Sequence, residues 1–429
     1  MSLHTISYTP INIGRWLVWS SFVAMLVLAP LVFPSGGSLS LLSLMGTTMI
    51  FALSYNMLLG QSGMLSFGHA VYSGLGAFFA IHAINLSTTD SFFIPLSLIP
   101  LVGGIAGLVF GILFGYVTTK RSGTTFSMIS LGIVELVFAC SLMFPGFFGG
   151  EGGISADRVF GKPFLGISYG PQIQVYYLIA AWLFISTAAM FAISHTPLGR
   201  IANAVRDNPE RAEFIGYDTQ RVRYLMLILS GFFAGISGGL TAINFEIVSA
   251  ENVSAARSGA VLLFTFIGGI GFFFGPLLGA VIGVLLTVML SEVTKAWLLY
   301  LGIFFIMMVM YAPGGLASLI MMNFRLMMNR LFTPLIPLMI KITAASLILF
   351  LSLVALVEMM YHWSLESAQG SVVKLFGTQI DTAQPFAWII PGLLFVLGAV
   401  LFIRSRPAYM DALDEANAEI ERRIARGAA

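Results

Sequence analysis

Hydrophobic positions in this 429-residue chain run in long blocks, without the polar face of a water-exposed helix or the alternation of a half-buried strand. A helix crossing a bilayer needs about 20 apolar residues. By that measure spans are predicted near 16–33, 38–59, 65–84, 92–118, 123–145, 173–194, 222–248, 258–271, 276–292, 296–312, 335–360 and 386–404. Those at 65–84, 258–271 and 276–292 are Gly-rich or short, which leaves half-helices open as a reading. The fold class that follows is an all-α polytopic membrane protein, a bundle of about 10–12 transmembrane helices with some short or broken.

Composition narrows the function classes. Hydrophobic residues make up 58% and charged residues only 9%, and mean hydropathy is +0.93. A soluble domain carries about 25% charged residues, so a water-facing surface cannot be built here. From Trp16 to Thr119 the only Asp, Glu, Lys or Arg is Asp90. Disorder, coiled coil, disulfide scaffold and water-soluble enzyme are excluded. A net charge of +2 leaves no nucleic-acid footprint. The single cysteine, Cys140, sits in an apolar run, and His4, His69, His82, His195 and His362 show no metal-ligand spacing. No small-residue cleavage site follows the first apolar run, so a retained span is expected there.

The basic residues orient the spans. With the N-terminus inside, the inner segments hold Lys120, Arg121, Arg200, Arg206, Arg211, Arg221, Arg223, Arg325, Arg330, Arg404, Arg406, Arg422, Arg423 and Arg426, most of the 21 cations. Arg158, Lys162, Arg257, Lys295 and Lys374 fall outside. Both termini are therefore expected in the cytoplasm.

Within the apolar blocks, Gly104, Gly107, Gly111 and Gly115, and again Gly231, Gly235 and Gly239, recur at helical spacing and read as close helix packing. Gly60-Gln61-Ser62-Gly63 and Gly268-Gly269-Ile270-Gly271 interrupt apolar stretches, one in each half, as broken helices of a weak internal repeat would. Gly149–Gly153 reads as a flexible outer loop. Glu135 stands mid-span, where a carboxylate needs polar neighbours; hydrogen bonding, pathway lining and ion coupling are the readings open to it. His69, in a Gly/Ser/Ala-rich segment, reads as a packed and hydrogen-bonded histidine or as a substrate ligand. Gly60, Gly63, Ser66, His69, Glu135, Gly268 and Gly269 are the candidate pathway residues.

One polar loop stands out, residues 195–223, inside-facing and Arg-rich. Asn208 is a good helix N-cap, Pro209 fits the first helical position, Glu210 adds negative charge to the first turn and Gly216 marks the exit. A rod of about seven residues is marginal alone and needs something to pack on. It rests either on this chain's own spans or in a partner's groove. For a partner, Phe214, Ile215 and Tyr217 would supply apolar contact, and Arg206, Arg211 and Glu213 charge complementarity.

Glu210-Arg211-Ala212 followed by Gly216 resembles the Glu-Ala-Ala-x-x-x-Gly coupling loop of ATP-binding cassette (ABC) importer permeases, with Arg211 in place of the first Ala. Thr196-Pro197-Leu198-Gly199-Arg200 and Ala204-Val205-Arg206-Asp207-Asn208 resemble the branched-chain amino-acid permease family of the LivM type. So do Gly60-Gln61-x-Gly63-x-Leu65-Ser66-x-Gly68-His69-Ala70, the Gly268–Ala280 run and Ala312-Pro313-Gly314-Gly315-Leu316. The resemblance covers roughly residues 40–320. It implies a translocation subunit in a bacterial inner membrane, working with a second related permease, two cytoplasmic ABC ATPase subunits and a periplasmic substrate-binding protein. It makes Arg206, Asn208, Pro209, Glu210, Arg211, Ala212, Glu213 and Gly216 the residues that couple to the ATPase. Residues 1–320 would then form the permease domain, 321–406 additional transmembrane helices, and 407–429 a cytoplasmic tail helix. In that tail Met410, Leu413, Ile420 and Ile424 share one face and Glu419 and Arg423 pair at i,i+4, and it reads as a solvated helix, with contact to the partner ATPase as the second reading.

An energy source within the chain is not expected. The only Gly-Lys pair, Gly161-Lys162, is followed by Pro163 and has Ala156 where a P-loop needs its first Gly. ATP would be hydrolysed by partner subunits, and no cofactor is expected in this chain. The rival reading is an ion-coupled secondary transporter, for which Glu135, Glu246, Glu292, His69 and His82 are the candidate relay groups. An enzyme is not expected, because no nucleophile–base pair or metal-ligand cluster is visible.

Overall fold

The computed structural model describes residues 13–88, 94–159, 168–366, 371–375 and 378–425. Those residues form helices joined by short connections. In order they are α1 (Ile13–Val32), α2 (Gly36–Ser62), α3 (Ala70–Thr88), α4 (Ile99–Thr118), α5 (Thr124–Met143), the single turn α6 (Pro145–Phe148) and α7 (Gln172–His195). Then come α8 (Pro197–Asp207), α9 (Pro209–Phe214), α10 (Thr219–Phe245), α11 (Ala255–Gly268) and α12 (Gly275–Val293). The last four are α13 (Trp297–Tyr311), α14 (Gly315–Met328), α15 (Ile336–Tyr361) and α16 (Pro385–Ala425). Two small antiparallel ladders complete the fold: β1 (Ile154–Ser155) with β2 (Ile247–Val248), and β3 (Val372–Leu375) with β4 (Thr378–Asp381).

The protein is an all-α polytopic membrane bundle. Among the described residues nine helices are long and apolar enough to cross a bilayer, or up to ten if the pair α13–α14, bent by 49°, is one span. Of the three doubtful segments, α3 and α12 are full-length, 19 residues each. By contrast α11 has 14 residues, about 21 Å of helix against a hydrocarbon core of about 30 Å. Side chains set where several helices start. Ser35, Thr196, Asn208, Asp218 and Ser254 each accept a first-turn backbone N–H, starting α2, α8, α9, α10 and α11.

The chain divides into two compact units. The first runs to Leu286 and includes Met307–Ala317; the second holds Thr287–Ile306 and everything from Ser318. In the first unit α10 is the central helix, packed by α2, α3 and α4, with α7 and α11 against α2. The glycine stripes explain the closeness. A methyl at Gly107 would strike the Gly231 carbonyl, and one at Gly235 the Gly103 carbonyl, so α4 and α10 touch backbone to backbone. Polar residues are kept inside by local bonds; the Ser230 and Ser237 hydroxyls of α10 donate to the Ser54 and Thr47 carbonyls of α2, at 2.6 and 2.7 Å.

The Gly149–Gly153 run is built rather than loose. Gly149, Gly150 and Gly153 take positive φ, and Gly153 abuts the Val248 carbonyl, leading into the β1–β2 ladder. Beside it, Arg158 donates to the carbonyls of Tyr169 (2.9 Å), Gly170 (3.2 Å) and Asn244 (3.4 Å), tying this end of α10 to the start of α7.

In the second unit α15 and α16 pack as an antiparallel pair, close enough for Gly398 to lie against the Leu349 backbone. The tail is not a solvated helix. It continues α16 through Pro407, and its Leu413 and Ile420 are buried with Leu326 and Leu335. Arg423 bonds Glu419 at 3.1 Å, as the i,i+4 spacing predicts, and also donates to the Asn329 carbonyl at 3.1 Å. Leu413 and Ile420 of the tail stripe had a place to go, which hydropathy alone does not reveal, while Met410 stays exposed.

Candidate functional site

The polar loop folds as two short helices. α8 is amphipathic, with Ala202 and Val205 buried and Arg200 and Asp207 outward. α9 starts and stops where the cap residues predict: the Asn208 side chain accepts the Arg211 N–H at 3.0 Å, Pro209 opens the helix and Gly216 leaves with φ +92°. Ala212 is buried beneath, while Glu210 and Arg211 are exposed. Glu213 accepts the Thr219 hydroxyl at 2.7 Å, joining α9 to the start of α10. Past the helix, Phe214 is 89% and Ile215 71% exposed, with Tyr217 beside them. Three large apolar side chains on a charged loop form an exposed apolar patch.

Arg206 differs from its neighbours. Its guanidinium bonds Asp207 (2.8 Å) and donates to the Gly60 carbonyl in the last turn of α2, and its stem packs on Gly63. It ties the loop to the membrane bundle.

That last turn of α2 opens into a chain break inside the bundle. Gly63 takes φ +69°, with the N–H groups of Gly63 and Met64 bonded back to Leu59 and Leu58. Residues 64–69 are then non-helical and buried among helices, and in such a place every backbone group needs a partner within the protein. Hydroxyls supply them. Ser127 of α5 donates to the Leu65 carbonyl (2.7 Å), and Tyr55 donates to the Ser66 carbonyl (2.9 Å). Ser130 accepts the Phe67 N–H (3.0 Å), and Ser258 of α11 accepts the Ala70 N–H (2.9 Å). Ser66 itself caps the Gly68 N–H at 3.3 Å.

His69 is fully buried, with Nε2 3.0 Å from the Ser54 hydroxyl and its ring stacked on Phe51 and edge-on to Tyr55 and Tyr72. It is a packed, hydrogen-bonded histidine.

The other candidate glycines meet the same region. A Cβ on Gly60 would lie 2.8 Å from the Ile270 carbonyl, so the two glycine breaks of the sequence come together in space. Gly269, at φ +110°, ends α11; Gly268 lies against Gly275 of α12, and Gly269 against Gly314 and Gly315. Close approach, with no room for a side chain, is what these positions require. Glu135 stands apart from them. It is exposed, on the same face of α5 as Met128 and Leu131 and away from Ser127 and Ser130.

Sequence reading did not find Ser54, Tyr55, Ser127, Ser130 and Ser258. Two serines three apart on the apolar α5 were the visible signal, without their acceptors. Gly161 and Lys162 lie outside the described residues. Among the described residues no group of His, Cys, Asp or Glu could hold a metal ion.

Comparison with known proteins agrees with this architecture. The family model described as branched-chain amino acid transport system, permease component, matches residues 37–312. The high-affinity branched-chain amino acid transport system permease protein LivM of Salmonella typhimurium is 28% identical over 304 residues, covering 66% of this chain and 70% of its own. Its namesake from Escherichia coli is 27% identical over 320 residues, covering 68% and 73%. No solved structure matches the chain.

Proposed function

The chain belongs to the branched-chain amino acid transport permease family, and from that premise we propose that it is one of two related membrane subunits forming the pathway of an ABC importer. Its cargo is branched-chain amino acids or similar small solutes. Two cytoplasmic ABC ATPases supply the energy, and a periplasmic binding protein delivers the solute. The chain sits in a bacterial inner membrane with both termini cytoplasmic. Residues 1–320 form the permease domain, 321–406 add membrane helices and 407–429 make the cytoplasmic tail.

The observation that carries this reading is the α8–α9 loop. A capped helix projects Phe214, Ile215 and Tyr217 outward, while Arg206 holds its base to the Gly60 carbonyl. A partner that moves α9 thereby moves the end of α2 and the hydroxyl-pinned break that follows, a rigid-body transmission. Asn208, Pro209 and Gly216 shape the helix, Ala212 seats it, and Glu210, Arg211 and Glu213 provide the charged rim. Glu135, an exposed carboxylate mid-way along an apolar helix, is costly against lipid and lines the water-filled pathway beside the second permease. Gly60, Gly63, Ser66, His69, Gly268 and Gly269 lie apart from it and hold the helices close, as the packed support of the pathway.

The test is co-purification with the ATPase subunits, followed by uptake. Phe214→Ser combined with Ile215→Ser, and separately Glu210→Ala with Gly216→Val, should lose the ATPases or uncouple hydrolysis from uptake while the membrane fold survives. Uptake that continues without any ATPase, driven by a proton or sodium gradient, would instead establish the secondary transporter.

A further inference from the structure

Arg257 is the residue of the first unit that neither the fold nor the coupling path explains. It lies in the first turn of α11, where its N–H bonds the Ser254 cap at 3.3 Å and where a cation opposes the helix dipole. Its guanidinium reaches into the bundle, 5.8 Å above the Phe51 ring, and its one side-chain hydrogen bond is a long one, 3.5 Å to the Thr241 hydroxyl. Among the described residues it has no carboxylate partner. A cation among apolar helices is expensive without a counter-charge, so the position points to an anion that arrives from elsewhere.

There is a place for one. Arg257 borders a half-open cavity of about 130 Å³ between α2, α10 and α11, roomy enough for several water-sized groups. The remaining polar side chains of its wall, Thr47, Thr48, Ser237 and Thr241, are hydroxyls whose protons are already committed, that of Ser237 to the Thr47 carbonyl (2.7 Å). Thr48 donates to the Leu44 carbonyl (2.7 Å), Thr47 to the same carbonyl (3.0 Å), and Thr241 to the Ser237 carbonyl (2.8 Å). Each leaves lone pairs rather than a donor. The cavity therefore pairs one forked cation with a set of acceptors, and aromatic and aliphatic side chains, Phe51 among them, line the rest of a half-open wall.

We infer that this cavity is a binding site for the zwitterionic end of an α-amino acid, its carboxylate on Arg257 and its ammonium on the hydroxyl oxygens of Thr47, Thr48 and Thr241. The inference rests on the importer reading for its biological sense and names the chemistry of the cargo within it. Position supports it. The wall uses residues 237–245 of α10, about 27 Å along the helix from Thr219 and α9, which is the end where a delivered solute would enter. A guanidinium matches a carboxylate bidentately, which neither Lys nor a neutral side chain reproduces.

Binding is measured on the purified full-length protein in detergent, as the shift in thermal midpoint with millimolar L-leucine or L-alanine. Leucinamide, which lacks the carboxylate, and 4-methylpentanoate, which lacks the ammonium, are the controls. At least one amino acid should stabilise the wild type and both controls should fail. Arg257→Gln should abolish the shift, and Arg257→Lys and Thr48→Val should each raise the half-saturating concentration about tenfold or more. The two milder variants keep the test open if Arg257→Gln does not fold. Equal shifts in wild type and variants, equal response to leucinamide, or no response to either amino acid would overturn the site. The importer reading is judged separately, by ATP-dependent uptake in the reconstituted complex. Uptake can fail while Arg257-dependent binding stands, and the reverse also holds.

Discussion

At the scale of single residues, space and hydrogen bonds decide. A methyl at Gly235 meets the Gly103 backbone of α4, which cannot turn aside as a side chain would. Gly235→Ala should therefore cost about 1–3 kcal/mol of overpacking, read as a lowered thermal midpoint of the purified protein. Gly132→Ala, with nothing within 4 Å of its new methyl, should leave that midpoint unchanged. Ser130 makes a second case. Its hydroxyl accepts the Phe67 N–H at 3.0 Å and donates to the Ser127 carbonyl at 2.8 Å. Ser130→Ala strands a buried amide and should destabilise by about 1–3 kcal/mol, with faster amide exchange over residues 64–70. Sequence named Gly235 as a packing residue because small residues at helical spacing have one common use. It left Ser130 unremarked, since a hydroxyl on an apolar helix says nothing of which distant backbone it serves.

At the scale of elements, helix ends were the legible part. α9 begins and ends within its predicted caps because Asn, Pro and Gly act on the backbone next to them. Asn208→Ala should remove the bond to the Arg211 N–H and weaken α9 by about 1 kcal/mol, seen as faster exchange over residues 209–214 with little change in global stability. Arg206 shows the opposite limit. Its charge and loop position suggested a partner contact, and its side chain turns inward to Gly60, 146 residues away in sequence. Arg206→Gln should leave ATPase co-purification intact while lowering uptake per ATP hydrolysed, if the link to α2 transmits the stroke.

For the whole molecule, the apolar blocks dictate a membrane bundle, and the placement of Lys and Arg predicts that its termini face the cytoplasm. A cysteine introduced at exposed Phe214, with Cys140 replaced by Ser, should react with an impermeant maleimide only in inverted vesicles. Labelling in intact cells would reverse the orientation. The tail is the part where hydropathy misled. Leu413 and Ile420 dock on Leu326 and Leu335, so Ile420→Ala should cost about 2–5 kcal/mol locally and speed proteolysis of residues 407–425.

Sequence alone determined the class of solvent, the helix periods and their caps, because each depends on neighbours within a turn or on a transfer energy summed along one segment. It also determined that glycine would bring helices together, without saying which. Tertiary structure decided the pairings. α4 meets α10, the break at Gly60–Gly63 meets the one at Gly268–Gly271, serines of α5 and α11 satisfy a buried loop, and Arg257 shares a cavity wall with Thr47, Thr48 and Thr241 and has no carboxylate partner among the described residues. These depend on groups far apart in the chain, and a backbone amide buried among helices can donate to any well-aimed oxygen. Only the folded chain selects one.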